Sequence, residues 1–224
     1  MGDVTAYRTW VFDCDGVLLD SNSLKTLAFR HEAERFGRRV AEEFVRYHQA
    51  HGGVSRQVKA RYLFQELLGR EDCSDEIEMF VRGFATRVRA GLPLVPADDA
   101  LVPLLRELHR HDCRRFVVTG GDERELRHEL ESRGLAAHFT GVYGSPSSKP
   151  QILAEIERSG LLERPGVLIG DSKLDAECAE RVSLDFVFVE HWSEWEGWRQ
   201  QMPDRALVVH DLSGLLALLS RNGE

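Results

Sequence analysis

The stretch RTWVFDCDGVLLDSNS, residues 8–23, decides how the rest of the chain is arranged. Residues 9–12 are β-branched or aromatic, which predicts a short buried strand. Asp13 and Asp15 follow directly, and Gly16 supplies the backbone freedom that a tight turn needs. Ligands of open α/β sheets bind outside the carboxyl ends of the strands, so we expect both acids to face a crevice.

Two carboxylates this close to each other repel unless a cation lies beside them. Mg²⁺ suits such a place, because it is typically held by one or two carboxylates while the phosphate of a substrate completes its shell. The alternative is that Asp13 and Asp15 only form a turn, since Asp-Gly is a common turn signal. The rest of the chain has to decide between these interpretations.

Composition limits the classes of function. The chain has 224 residues, 37 acidic against 29 basic, and a net charge of −8, which gives no electrostatic support for a nucleic-acid partner. The four cysteines are scattered without a CxxC pair, so neither a zinc site nor a disulfide framework is indicated. No secretion or lipidation signal and no apolar run of ~18 residues is apparent. We therefore expect a cytoplasmic protein without a membrane partner.

A long region after Asp20 has helical periodicity and contains no convincing strand before Arg114. Glycines and polar caps divide this region into successive helices. We predict helices that run from Asn22 or Ser23 to near Gly37, from there to Gly52-Gly53, from Ser55 to near Gly69, and from Ser74 to Ala90. These four helices predict an all-α insert over residues 21–92, and a further helix over Pro96 to Arg110 leads back to the sheet.

From Arg114 onward strands alternate with helices, which is the pattern of a parallel sheet. The predicted strands are 116–118, ending at Thr119, and 142–143, 167–169, 186–189 and 206–209, with a last helix over 212–219. The fold class is therefore α/β, with a Rossmann-like parallel sheet core formed by residues 1–20 and 93–224 and an inserted helical unit.

Polar residues interrupt this pattern where successive strands end. Thr119 follows the second strand, Lys149 lies in a loop after the third, and Asp171 and Asp175 follow the fourth. A hydroxyl, an ammonium and a carboxylate cluster supply what a phosphoryl group needs: donors, positive charge and a nucleophile. Taken singly, each could be a strand end, a solvated lysine or a helix cap, but their joint order favours a phosphoryl-transfer site.

With these motifs the chain resembles the haloacid dehalogenase superfamily over essentially its whole length. The motifs are DCDGV at residues 13–17, the apolar strand ending in Thr119, Lys149 before Pro150, and GDSKLD at residues 170–175. The helical insert looks like the mobile cap of the phosphoglycolate phosphatase-like and β-phosphoglucomutase-like branch. The resemblance implies a cap that closes over the crevice and excludes water.

The resemblance also implies roles. Asp13 would be the nucleophile that forms an aspartyl-phosphate, and Asp15 the acid and base. Thr119, with Gly120 beside it, and Lys149 would hold the phosphate. Mg²⁺ would be bound by the carboxylates of Asp13 and Asp171 and the backbone carbonyl of Asp15, with Asp175 and Ser172 in outer positions.

The predicted cap contains the residues that we expect to choose the substrate. Arg56 follows a paired-glycine loop, where it could pair with a carboxylate or second anionic group of a small acidic phosphate ester, and His51 precedes that loop. Basic residues on an exposed helix, such as Arg56, usually belong to a solvated face, and His51 could equally be an ordinary loop residue. Trp192, Trp195 and Trp198 form an aromatic stripe that favours packing or an interface over a substrate platform.

Three functions remain open from the sequence. The first is a Mg²⁺-dependent phosphatase acting on a small phosphorylated metabolite, as a monomer or homodimer. The second is a phosphomutase of the same fold that returns the phosphoryl group to a sugar. The third is a non-catalytic phosphate-binding module, which would require one of Asp13, Asp15, Lys149 or Asp171 to be missing.

Overall fold

A six-stranded parallel sheet forms the centre of the molecule in the computed structural model, which describes residues 4–221. The strands are β1 (Thr9–Phe12), β2 (Arg114–Asp122), β3 (Gly141–Ser145), β4 (Gly166–Gly170), β5 (Asp185–Val189) and β6 (Leu207–Val209). Their order is β3-β2-β1-β4-β5-β6, with every neighbouring pair parallel. The predicted α/β class with a Rossmann-like core is confirmed.

Four consecutive helices separate β1 from the remainder of the sheet. They are α1 (Asn22–Glu34), α2 (Arg38–Ala50), α3 (Arg56–Arg61), which continues as a π-helix (Tyr62–Leu67), and α4 (Ser74–Gly91). We call residues 22–91 the helical segment. The other helices are α5 (Leu101–Leu108), α6 (Glu123–Ser132), α7 (Lys149–Arg158), α8 (Lys173–Arg181), α9 (Trp198–Gln201) and α10 (Leu212–Arg221), with 3₁₀ turns at Val4–Ala6, Leu92–Leu94 and Ala136–His138.

Three apolar clusters account for the packing. Successive side chains of a strand point to opposite faces of a sheet, so Trp10 and Phe12 join one cluster and Val11 joins another. The third cluster lies wholly within the helical segment, where Phe29 and Phe80 are among its buried rings. The helical segment thus has a core of its own, while the domain boundaries at residues 21 and 92 stay a prediction.

Several elements differ from the sequence prediction for local reasons. Helix α5 begins at Leu101 rather than Pro96, because the Asp98 carboxylate turns the chain by accepting from the Ala100 and Leu212 backbone N–H groups at 2.8 and 3.1 Å. Strand β2 runs past Thr119 to Asp122. None of the helices in residues 4–221 combines the length and apolar character needed to cross a membrane.

The three tryptophans near residue 195 do not form a stripe on one helix. Trp192 and Trp195 lie in the loop after β5, and Trp198 alone begins α9. Trp195 and Trp198 pack on Phe188, with ring centroids 5.6 and 4.8 Å away. The two rings therefore serve packing within the chain, which agrees with the packing interpretation.

Candidate active site

The first two acids of the site follow the central strand. The Asp13 backbone N–H donates to the Ile169 carbonyl at 2.8 Å, so the sheet pairing continues up to the catalytic edge. Gly16 has φ +74°, and a Cβ there would lie 2.2 Å from Asp171 Oδ2. The turn after β1 therefore needs glycine for its conformation and for the close approach of Asp171.

A cluster of three buried carboxylates lies at this edge. One oxygen each of Asp13, Asp171 and Asp175 falls within 4.8 Å of the others. Lys149 Nζ lies 2.8 Å from Asp13 Oδ2 and 2.6 Å from Asp175 Oδ1, and Asn22 Nδ2 donates to Asp171 Oδ2 at 2.7 Å. The cluster thus holds three acids around one ammonium.

The pKa values of the cluster reflect its burial and the excess of three carboxylates over one ammonium. Burial raises the pKa of Asp13 to about 7, although Lys149 acts in the opposite direction. Burial and the neighbouring Asp13 and Asp175 raise the pKa of Asp171 well above its usual value. Burial alone would lower the pKa of Lys149, but Asp13 and Asp175 outweigh it and raise that pKa. A divalent cation with oxygen ligands fits this donor set, because it would supply the missing charge.

Asp15 faces a different set of partners. Lys25 Nζ lies 2.5 Å from Asp15 Oδ2, the Ser21 hydroxyl donates to Asp15 Oδ1 at 2.5 Å, and the Thr119 hydroxyl lies 3.3 Å from Oδ2. Burial would raise the pKa of Asp15, but the charge and hydrogen bond of Lys25 and the hydrogen bond of Ser21 outweigh it and lower that pKa. Asp15 is therefore ionised in this arrangement.

Helix starts position Lys149, Ser172 and Asp175. Lys149 is the first residue of α7, and Ser172 caps α8. The Ser172 hydroxyl lies 2.5 Å from Asp175 Oδ2, whose other oxygen contacts Lys149. Ser172 and Asp175 thus form a reciprocal capping box that also holds the lysine against Asp13.

The loop between α2 and α3 lies directly on the catalytic edge of the sheet. A Cβ on Gly120 would lie 2.0 Å from the Gly53 carbonyl oxygen, and one on Gly52 would lie 2.8 Å from Ser172 Cβ. A Cβ on Gly53 would lie 3.2 Å from Lys149 Nζ. Between the two layers is a cavity whose wall includes Asp13 and residues of the helical segment.

Two residues expected to touch the substrate have other partners. The Arg56 guanidinium pairs with Asp122 at 2.9 Å and with Glu125 at 2.8 Å, while its buried Nε has no hydrogen-bond partner among residues 4–221. His51 is exposed and stacks on Tyr47, with its Nδ1 2.8 Å from the Tyr47 carbonyl oxygen. The structure therefore brings Arg56 to the cavity wall in a paired state, and it does not bring His51 there.

Sequence reasoning missed several polar residues of the cavity. Asn22 and Lys25 contact the acids from the first turns of α1, and no local pattern in the sequence indicates these contacts. His48 and Lys59 also line the cavity, but in the sequence they look like ordinary positions of amphipathic helices.

Comparisons with known proteins identify the family and the fold. The model of the haloacid dehalogenase-like hydrolase family matches residues 10–189. The chain belongs to this family. A predicted phosphoglycolate phosphatase from Haemophilus somnus has a similar structure, with a TM-score of 0.74 at 18% identity over 95% of this chain and 97% of that one. At this identity the likeness concerns the fold of the family.

Sequence relatives carry more than one named activity. Tyrosine-protein kinase PtkA of Mycobacterium tuberculosis is 26% identical over 185 residues, which are 80% of this chain and 60% of PtkA. The chain thus spans about 60% of the length of this relative. Phosphorylated carbohydrates phosphatase of Thermotoga maritima is 24% identical over 185 residues, 80% of this chain and 82% of that protein. Membership of this hydrolase family does not by itself choose a substrate.

Proposed function

We propose that this protein is a Mg²⁺-dependent phosphatase that hydrolyses a small phosphorylated metabolite through an aspartyl-phosphate. The observation that carries the proposal is the placement of Asp13. Its buried carboxylate has Lys149 and the acid cluster on one side and lies two residues before Asp15, which faces Lys25. A nucleophile, a group that can accept or donate a proton and positive charge are thus at one strand end.

The reaction follows from these positions. A carboxylate oxygen of Asp13 forms a bond to phosphorus while the bond to the leaving oxygen breaks, and Asp15 gives its proton to that oxygen. Asp15 then takes a proton from water, which attacks phosphorus, releases phosphate and restores the Asp13 carboxylate. Asp15 is ionised as the structure has it, which is the form needed to activate water. For the first step it must take up a proton.

Thr119 and Lys149 support the phosphoryl oxygens in this proposal. The Thr119 hydroxyl accepts from the Gly121 backbone N–H at 3.0 Å, which orients it at the end of β2. Lys149 is fixed between Asp13 and Asp175 and places its charge next to the nucleophile. Both residues thus lie where the charge of the transferring group develops.

Magnesium would be held by the carboxylates of Asp13 and Asp171 and the backbone carbonyl of Asp15. Asp175 has Lys149 and Ser172 as partners, so it would act outside the direct ligands. The bound cation would neutralise part of the negative charge of the nucleophile and the phosphoryl oxygens.

The size of the substrate follows from the covering loop. The Gly53 carbonyl oxygen lies against Gly120, so the chain of the helical segment closes over the strand ends. A cavity covered by this loop, with the strand ends in its wall, suits a small ester better than a phosphorylated segment of another protein. This argument favours the metabolite over the kind of substrate that the name of PtkA suggests.

Asp13→Asn tests the proposal. The variant should fold, because the amide is isosteric with the carboxylate, and it should lose at least about 10³-fold in phosphate release from phenyl phosphate with Mg²⁺, since no other group can replace the nucleophile. The control is Asp72→Asn, at an exposed acid that is not part of the cavity wall. Near-native turnover of Asp13→Asn with normal circular dichroism would exclude the mechanism.

A further inference from the structure

Lys59 is a buried amine in the cavity wall that has no carboxylate beside it among the described residues, 4–221. The other cations of that wall, Lys25, Arg56 and Lys173, each contact a carboxylate. Lys59 is 3% exposed, and no carboxylate in residues 4–221 lies at ion-pair distance from its Nζ. Burying an unpaired charge is costly, so an ammonium at this position needs a reason.

Two of the three N–H groups of Lys59 have partners in the helical segment. Nζ lies 2.7 Å from His48 Nδ1 and 3.2 Å from the His48 carbonyl oxygen. An ammonium has three donors, so one N–H remains for a group that enters the cavity.

A chain of hydrogen bonds fixes how His48 faces Lys59. The Thr26 hydroxyl lies 2.9 and 3.0 Å from the two carboxylate oxygens of Glu194, to which it donates. Thr26 therefore accepts from His48 Nε2 at 3.0 Å, which leaves His48 Nδ1 to accept from Lys59. Burial, together with Lys59 and Lys25, lowers the pKa of His48 well below its usual value, so the ring is neutral as this chain requires.

The same chain joins the helical segment to the sheet domain. Thr26, His48 and Lys59 lie on α1, α2 and α3, whereas Glu194 lies in the loop after β5. Burial and Lys25 lower the pKa of Lys59 to about 7, so an anion arriving beside it would favour its charged form. His48 thus orients the Lys59 amine, and its remaining N–H is left for an anion that enters the cavity.

The surroundings of Lys59 narrow the chemistry of that partner. Apolar side chains form part of the cavity wall, among them Phe29, Phe84, Val88 and Leu92, and Lys59 Nζ lies 5.9 Å from the centroid of the Phe29 ring. Hydroxyls of a leaving group that lay against these apolar side chains would be buried without hydrogen bonds. One free N–H matches a carboxylate oxygen, whereas a second phosphate would need several donors.

Resting on the proposed function, we infer that Lys59 selects the substrate by binding a carboxylate on the leaving group of the phosphate ester. The substrate class is a phosphorylated hydroxy acid rather than a phosphorylated sugar. Asp13 receives the phosphoryl group, and Lys59, in the wall of the same cavity, binds the carboxylate.

The test compares acids with their amides. Phosphoglycolate and 3-phosphoglycerate are each paired with the corresponding carboxamide, and kcat/KM is measured by phosphate release with Mg²⁺. Wild-type protein should prefer the acid by about tenfold to a hundredfold, the range expected of a hydrogen bond between charged groups. In Lys59→Met the values of kcat/KM for an acid and its amide should differ by no more than about twofold.

Two further variants keep the test decisive. Lys59→Gln retains an N–H for His48 Nδ1 without the charge, so it covers the case in which Lys59→Met fails to fold, and it should also lose the preference. Lys173→Met is the matched control, because Lys173 also lies in the wall but is half exposed and 3.7 Å from Glu177, and it should keep the preference.

The outcomes separate this inference from the proposed function. Three outcomes would overturn the role of Lys59 while phosphatase activity stands. The first is an equal loss of kcat/KM on acid and amide, and the second is an unchanged ratio of these two values in a folded Lys59 variant. The third is a wild-type preference for a bisphosphate or a sugar phosphate. Absence of turnover by the wild type on every ester, phenyl phosphate included, would overturn the proposed function and this inference with it.

Discussion

Asp13 and Asp15 are separated by one residue, yet their surroundings move their pKa values in opposite directions. Burial raises that of Asp13 to about 7. At Asp15 burial acts in the same sense, but Lys25 and Ser21 outweigh it and lower the pKa. In the proposed reaction Asp13 attacks as a carboxylate and Asp15 first acts as an acid, so both pKa shifts run against the form that the first step needs. A cation bound beside Asp13 would favour its ionised form, whereas Asp15 has to take up a proton in spite of Lys25. Lys25, absent from the sequence motifs, is therefore part of what distinguishes the two acids.

The role of Asp15 predicts a dependence on the leaving group. Asp15→Asn should lose about 10²- to 10⁴-fold in kcat/KM on alkyl phosphates, whose leaving oxygen needs a proton, and clearly less on p-nitrophenyl phosphate, whose leaving group departs without one. The measurement is phosphate release from a series of esters with leaving groups of rising pKa. Equal losses along the series would remove Asp15 from the acid role.

At this scale the sequence predicted the residues that follow strands and missed those that approach from the helices. Asp13, Lys149 and Asp171 were predictable, because parallel strands bring their carboxyl ends to one edge. Asn22 and Lys25 contact the same acids through the docking of α1, which depends on tertiary packing rather than on a local pattern. Roles of all these residues stay predictions until the variants are measured.

At the scale of elements, the loop between α2 and α3 is the closest contact of the helical segment with the sheet. The pattern of glycines predicted where α2 ends, and the structure adds what the glycines permit. The Gly53 carbonyl oxygen occupies the space that a side chain on Gly120 would fill. The π-helix that follows α3 and the late start of α5 were not predictable, because both depend on local contacts that propensities do not record.

Gly120→Ala should therefore disturb the contact between β2 and the loop that joins α2 to α3. Its Cβ would lie 2.0 Å from the Gly53 oxygen, a backbone atom, so the loop has to move away from the strand. We expect kcat/KM to fall about tenfold to a hundredfold, since displacements near 1 Å of positioning groups can cost as much. Steady-state kinetics with an alkyl phosphate measures the loss.

Gly121→Ala is the matched control for this change. It lies next in the same strand, and its Cβ would come no nearer than 3.3 Å to any neighbour, which there is the Lys25 Nζ atom rather than backbone. Its loss should be clearly smaller than that of Gly120→Ala. Similar losses in the two variants would show that the contact between Gly53 and Gly120 does not govern activity.

At the scale of the whole molecule, polar contacts join the helical segment to the sheet domain on two sides of the cavity. Arg56 pairs with Asp122 and Glu125 on one side. Thr26 contacts Glu194 on the other, and Gln49 donates to the same carboxylate at 3.3 Å. Neither pairing was predictable, because the partners are 66 or more residues apart in the sequence. We expect these contacts to hold the helical segment against the sheet domain, so that the cavity between them stays closed.

Arg56→Met should accordingly weaken closure rather than selectivity. Two of its guanidinium nitrogens pair with carboxylates of the sheet domain, and its removal leaves the partly buried Asp122 without this partner and Glu125 with the more distant Arg89, at 3.7 Å. We expect kcat/KM to fall by about tenfold, ~1.4 kcal/mol, on hydroxy-acid esters and on their amides alike. Small-angle X-ray scattering should show a larger radius of gyration.

Arg82→Met provides the control for this last change, because Arg82 forms an exposed pair with Glu78 on α4 and should behave like the wild type. A comparison with Lys59→Met shows how the two cations act. Lys59→Met should alter the ratio of kcat/KM on the acid to kcat/KM on the amide, whereas Arg56→Met should not. A loss in Arg56→Met confined to the acid would instead assign Arg56, through its unpaired Nε, to direct contact with the substrate. Closure would then depend on the Glu194 contacts, and Glu194→Gln should reproduce the larger radius of gyration.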